Sequence, residues 1–328
     1  MAIISVTERQ TFKRCRRKWD LSSFSRQSLV PIINAPALDL GTIVHATLAQ
    51  WTDDPSLDPN LIYSTLGAET LQRTMDIYEE RIGCRPSKDE MMPTFDAIAL
   101  GAQMIKNYQT HWHTPLPPGY TLIQNEQTVT IEIPNTEHLI CAYCNLDVLG
   151  CPCNTRPNCC SEELHSLEAT FDGVMADEHG QLFIIERKTY NSRPSEIELD
   201  DNDQFLAYMW ALRQSGMGTV RGVSYDGLWK RPSPPQGRKF EDLFLRRVQQ
   251  RNEQELEEFG TMLALEAMEM TNPNVAIYKT VPPLRGCFDC STYHDLCRSM
   301  SSKPQYHTDM LLKTYIKSSH KRWRKNED

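Results

Sequence analysis

The chain has 328 residues and a formal net charge of −8, enough length for one large domain or two ordinary ones. The acidic balance excludes a surface coated in basic charge and leaves only a local basic cleft for a polyanion. No apolar run reaches the ~18 residues of a spanning helix, and the opening MAIISVTERQ lacks the build of a signal peptide. A cytoplasmic location away from membranes is therefore expected, with the 11 cysteines serving as metal ligands or thiols rather than disulfides.

Ser5-Val6-Thr7-Glu8 is a capping-box pattern that opens a helix through about Phe24, with Phe12 and Trp19 on its buried face. Cys15 sits inside it, flanked by Lys13, Arg14, Arg16, Arg17 and Lys18. Such a run is usually a solvated face; its sharper reading is a phosphate-contacting patch. After a break from Pro31 to Pro36, a second helix runs from Leu40 to Trp51, close-packed at Gly41 and carrying His45, a position more often a core residue than a ligand. Helical spacing returns at about 60–81 and 88–113, where Ile98, Met104, Ile105 and Tyr108 recur, and reads as a helical insertion.

Tyr120 to Ile133 alternates polar and apolar residues as a strand or hairpin, and Glu126 on it is either solvated or near a metal site. Cys141, Cys144, Cys151, Cys153, Cys159 and Cys160 then crowd one short stretch, with His138 nearby. The Cys-x2-Cys spacing and thiolate density favour a small structural zinc site over a loop of unligated thiols.

Leu167 to Phe171 reads as a strand ending at Asp172, Asp177 to Gly180 as a turn, and Leu182 to Ile185 as a buried strand that carries Glu186-Arg187-Lys188. Side chains alternate along a strand, so Glu186 and Lys188 share a face and Arg187 points away. A hairpin that brings Asp172 beside Glu186 places two carboxylates together, and oxygen ligands of this kind suit Mg²⁺ or Mn²⁺. Lys188 then orients a water or offsets charge on a phosphate; the bland alternative is a hairpin with a solvated Glu/Lys pair.

Beyond a turn at Pro194 to Glu198, Asp203 to Leu212 is a helix with Gln204 and Tyr208 on one face. Val220 to Trp229 reads as a strand, Pro232 to Gly237 as a loop, and Glu253 to Met270 as a long helix preceded by Arg246, Arg247 and Arg251. Cys287, Cys290 and Cys297 are three thiols in search of a fourth, and the tail from His320 to Lys325 is basic with one aromatic, Trp323.

Five blocks in order resemble the iron–sulfur-containing, RecB-like branch of the PD-(D/E)XK nuclease superfamily: Gly41 to His45, Phe171 to Val174, Ile184 to Thr189, Gln204 to Tyr208, and Cys15 with Cys287, Cys290 and Cys297. The resemblance covers about residues 5–50 and 120–300, with Glu186 where Asp is commoner and a cysteine-rich stretch outside the family pattern. It implies an α/β restriction-endonuclease-like fold, a central mixed sheet flanked by helices. Residues 1–300 would be a single domain, with a helical insertion at about 52–115, a cysteine-rich insertion at about 138–162 and a basic tail over 301–328. It implies His45, Asp172, Glu186 and the Arg187 carbonyl as ligands of Mg²⁺ or Mn²⁺, with Lys188 stabilising the transition state and Gln204 and Tyr208 touching DNA phosphate or steadying Lys188. The four cysteines would hold a [4Fe–4S] cluster, with Zn²⁺ as the competitor, stapling the start of the chain to its end. The implied activity is DNA cleavage, as an exonuclease, in recombination, repair or replication-linked processing beside a helicase or recombinase. The competing reading is a DNA-binding or assembly protein that keeps the fold without catalysis.

Overall fold

The computed structural model describes residues 2–31, 36–133, 165–280, 290, 292–302, 307, 311 and 314–318. The cysteine-rich segment 141–160, Cys287 and the tail from His320 to Lys325 lie outside them.

Strand β1 (Ala2–Ser5) leads into α1 (Val6–Arg14), where the Ser5 hydroxyl accepts the Glu8 N–H at 3.1 Å. The Glu8 carboxylate does not close the capping box. It accepts from the Trp19 indole at 3.3 Å and from the Ser23 hydroxyl, tying α1 to the residues beyond its end. The single helix expected through Phe24 is in fact two. Cys15 interrupts it with extended backbone, φ −161° and ψ 109°, and α2 (Arg16–Ser22) restarts behind it before a short strand, β2 (Leu29–Pro31).

Helices α3 (Pro36–Asp53), α4 (Pro59–Ile82) and α5 (Lys88–Trp112) form one layer. The first begins at a proline, which suits an opening turn, and not at Leu40. The other two lie almost where apolar spacing puts them, because each has its own start signal: Asp58 caps α4, and Ser87 with Glu90 makes a full capping box on α5. Val44, Leu48 and Trp51 of α3 meet Tyr63 of α4 and Met104 and Tyr108 of α5 in a shared core.

The centre is a six-stranded mixed sheet of β1, β3 (Thr121–Glu132), β4 (His165–Ala176), β5 (Leu182–Tyr190), β6 (Val220–Trp229) and β7 (Phe244–Gln249), in order β1-β4-β5-β6-β7 with β3 also on β4. Residues 120–133 supply one strand, not a hairpin. Strand β7 is not announced by the sequence, since Arg246, Arg247 and Gln249 make it look polar and only Phe244 and Leu245 are buried. The α3–α5 layer covers one face. A short α6 (Glu196–Asp200) stands where a turn is expected, and α7 (Asp203–Gln214) and α8 (Glu253–Thr271) join α1 over the other face. There Phe171, Ile184, Phe205, Trp210, Phe259 and Leu263 form the largest core; burying such side chains stabilises by about 1.5–3 kcal/mol each before chain entropy is counted.

A satellite core lies at the far end of the chain. β8 (Tyr315–Lys317) pairs antiparallel with β2, and Tyr293, Leu296 of α9 (His294–Ser302) and Tyr315 pack on Leu21 and Leu29 with Cys290 beside them. Among the described residues no helix is long and apolar enough to cross a membrane.

Candidate active site at a strand fork

Strand β3 runs beside β4 for nearly its whole length, from the Thr121–Ala176 pair to the Glu132–Ser166 pair. The opposite edge of β4 is shared: β1 pairs with residues 165–168 and β5 with residues 173–176. Pairing of β4 with β5 stops at Gly173 and Ile185, so Asp172 and Glu186 are the first residues beyond it, where the two strands diverge. Asp172 is thus inside a strand, not at its end.

The strand changes facing at this point. Leu167, Ala169 and Phe171 lie in the large core, and so do Val174 and Ala176, which places a one-residue shift of the alternation at Asp172–Gly173. The partner strand shifts with it. The Gln127 amide reaches Met217 on the α7 side at 3.1 Å, while the Asn125 amide reaches the Ala49 carbonyl of α3 on the other side at 2.9 Å. Between them Glu126, across from Asp172, has φ 43°, a left-handed conformation that a glutamate holds only when its surroundings impose it. The effect is to let Asp172 reach toward α3 while its neighbours stay in the α7-side core.

Side chains from both layers converge there. Asp172 Oδ1 lies 3.2 Å from His45 Nδ1, and its Oδ2 accepts the Arg187 N–H at 2.6 Å. The part of Arg187 tied to the carboxylate is therefore its N–H. Helix α3 lies against this strand: a Cβ on Gly41 would sit 3.6 Å from Oγ1 of Thr189, the residue after Lys188, an ordinary contact. From the other layer, Asn202 caps α7 by accepting the Gln204 N–H at 2.9 Å. The Gln204 amide then donates to Glu186 Oε1 at 3.1 Å and to Tyr208 Oη at 2.6 Å. Lys188 Nζ stands 2.5 Å from Glu186 Oε1; the glutamate is 2% exposed and the lysine 44%.

Charge follows the geometry. Burial works against the Asp172 carboxylate, yet His45, Lys188 and the Arg187 N–H together bring its pKa down to about 2. Burial raises the pKa of Glu186, Lys188 opposes this and Asp172 adds to it, leaving a net rise. Burial also works against the Lys188 charge, but Glu186 and Asp172 more than offset it and hold the ammonium above the ordinary lysine value. One carboxylate is thus held firmly ionised beside a second that depends on the lysine.

The donor set of two carboxylates and an imidazole has the chemistry of a site for a hard divalent cation. As the side chains stand, no group of three or more His, Cys, Asp or Glu residues converges tightly enough to hold a metal among the described residues. His45 and Asp172 meet, while the Lys188 ammonium takes the compensating place at Glu186.

Sequence reasoning missed what lies behind the site. Arg187 is 1% exposed; its Nη2 donates to Thr52 Oγ1 of α3 at 2.7 Å, two helical turns beyond His45. Across the sheet Asp226 accepts from Tyr108 and, at 2.8 Å, from Arg246. A buried arginine inside a strand leaves no signal in composition; the tyrosine's helical spacing marked only its burial.

The cysteines divide. Burial raises the Cys290 thiol pKa, and the neighbouring Cys15 and Cys297 thiols raise it further while Lys18 lowers it, so Cys15 and Cys297 each lie within electrostatic reach of Cys290. No disulfide joins them. Much of the basic run around Cys15 is used structurally. Lys13 pairs with Asp203 and Glu266 at 3.3 Å, and Arg16 pairs with Glu269 and stacks over Phe12.

No curated protein matches the chain. A solved structure described as "Crystal structure of SSO0001" aligns at 11% identity over 60% of this chain and 70% of that one, with a TM-score of 0.28, too slight a likeness to carry any argument. The sequence pattern of the PD-(D/E)XK nuclease superfamily, by contrast, matches residues 3–298. With a mixed sheet flanked by helices and an Asp…Glu-x-Lys set at its strand fork, the chain belongs to the PD-(D/E)XK nuclease superfamily.

Proposed function

We propose that the protein is a divalent-metal-dependent DNA nuclease, acting as an exonuclease, with its centre at the fork of β4 and β5. The observation that carries this reading is the convergence of Asp172, Glu186 and Lys188 on one point, supported by His45 from one layer and Gln204 from the other. His45, Asp172 and Glu186 would hold Mg²⁺ or Mn²⁺, with the Arg187 carbonyl as a further ligand. The ion would offset phosphodiester charge and lower the pKa of an attacking water.

The chain's own groups do the rest. Asp172 stays ionised to low pH and keeps its negative charge ready for a cation. Lys188, half exposed, is the cation placed to meet the scissile phosphate and stabilise charge that builds on it. Gln204 fixes the Glu186 carboxylate, and Tyr208 accepts from Gln204, so both position the glutamate rather than acting on the phosphate themselves. A [4Fe–4S] cluster on Cys15, Cys287, Cys290 and Cys297 fits the same account. It would join the break between α1 and α2 to the satellite core, where Cys290 packs. Action in recombination or repair beside a helicase or recombinase rests on the family resemblance alone.

The test is digestion of end-labelled linear single- and double-stranded DNA by anaerobically purified protein with Mn²⁺ or Mg²⁺. Stepwise release from an end supports the exonuclease reading. Internal fragments would make it an endonuclease, and DNA binding without cleavage would favour the non-catalytic alternative.

A further inference from the structure

The loop after β6 is unlike the rest of this acidic chain. From Lys230 to Lys239 it carries Lys230, Arg231, Arg238 and Lys239 with no Asp or Glu, in a protein whose net charge is −8. Arg231, Arg238 and Lys239 are exposed, and among the described residues their side chains form no ion pair. By sequence pattern alone this stretch is only a loop.

Its position is set by the sheet. Strands β5 and β6 are parallel, with Lys188 in register with Gly227 and Tyr190 with Trp229. The loop therefore leaves the sheet at the same end as the fork, one strand over, with Lys230 three positions or about 10 Å further along than Lys188. It is also rigid. Its three prolines limit the backbone, the Pro232 carbonyl accepts the Asn107 amide at 2.9 Å, and a turn closes from Arg238 N–H to Pro235 O at 3.0 Å. At its root the Trp229 indole donates to the Asn191 carbonyl at 2.8 Å, and the Arg231 guanidinium lies over the Trp229 ring at 4.8 Å. A guanidinium already stacked on an indole offers its outer plane and its charge together, the combination that receives an unpaired base and its phosphate. Because the loop is already ordered, little conformational entropy is lost on binding.

We infer that the Lys230–Lys239 loop is a shelf that holds a single-stranded stretch of nucleic acid beside the strand fork. Arg231 stacks a base, and Arg238 and Lys239 take phosphates. This deepens the nuclease reading by naming the form of substrate held at the fork's end of the sheet, and it rests on that reading only for the strand's destination.

The experiment uses full-length protein with divalent metal chelated, so that binding is read without cleavage. Binding of a fluorescent oligothymidylate and of a duplex of matched length is titrated across salt for wild type and for the Arg231→Ala/Arg238→Ala/Lys239→Ala variant. Single-strand affinity should fall about tenfold or more, and the log–log salt slope should shrink by about 1.4, as expected when two phosphate-linked cations go. Duplex affinity should change much less, and the urea midpoint should fall only slightly, since among the described residues these side chains form no ion pair and Arg231 gives up an exposed stacking contact with Trp229. An unchanged single-strand affinity and slope would overturn the inference, and so would an equal loss for duplex. If wild type binds through the loop yet never cuts DNA, the nuclease reading fails and the shelf stands.

Discussion

Replacing Lys188 by Met tests the electrostatics of the fork through stability rather than activity. Glu186 is 2% exposed, and Lys188 is its nearest cation at 2.5 Å, with Gln204 as its remaining donor. Removing one partner of a fully buried ion pair costs about 3–5 kcal/mol. Lys188 is 44% exposed, so water already screens the pair and the expected loss falls to about 1–3 kcal/mol. The loss should depend on pH with a definite sign. Glu186 has its pKa raised by burial, and Lys188 is the main group opposing that rise. In the variant the native state therefore binds the Glu186 proton more tightly than the unfolded chain does. Stability relative to wild type should be lost as pH rises from the unfolded glutamate value through the raised native one, and recovered below it. Urea unfolding of both proteins at about pH 5 and about pH 8 reads this directly. The deficit should be larger at the higher pH, and adding Glu186→Gln should remove the pH-dependent part. A deficit equal at both pH values, or none at either, would refute the reasoning.

Elsewhere, Arg9→Ala removes a fully buried guanidinium that holds Asp203 at 2.5 Å, also pairs with Glu266 and lies over Phe259. A loss of about 3–5 kcal/mol is expected by urea unfolding, and a loss under about 1 kcal/mol would contradict that role. Gly101→Ala would drive a Cβ into the Tyr63 hydroxyl where α4 and α5 touch. It should cost about 1–3 kcal/mol in thermal unfolding without altering DNA binding; wild-type stability would mean that the helices separate easily. Cys290→Ser should lower both bound iron and melting temperature while leaving Asp172 and Glu186 in place, and unchanged iron content would remove Cys290 from the cluster.

What was legible in the sequence was whatever depends on local signals. Ser87 with Glu90, and Asp58, announce α5 and α4 through their caps, and Ile184–Ile185 announces a buried strand by its β-branched run. The order of the motif blocks was enough to place Asp172, Glu186 and Lys188 together, and the alternation rule correctly turned Arg187 away from them. What needed the structure is non-local. Strand β7 hides because its polar look masks the support of Arg246 by partners far away, Asp226 and Tyr108. The β2–β8 pair joins residues nearly 290 apart, and the break at Cys15 carries no Pro or Gly to announce it. The facing shift at Glu126 and Asp172 is likewise written in two strands at once, and neither contains a local breaker except Gly173.

The most direct measurement compares wild type with Lys188→Ala, both shown to fold, to carry their metals and to bind DNA, for cleavage of linear DNA with Mn²⁺ or Mg²⁺. The account predicts cutting by wild type that falls by orders of magnitude in the variant while DNA binding persists. Equal cutting by the two proteins, or none by wild type, would contradict a nuclease centred on the fork of β4 and β5.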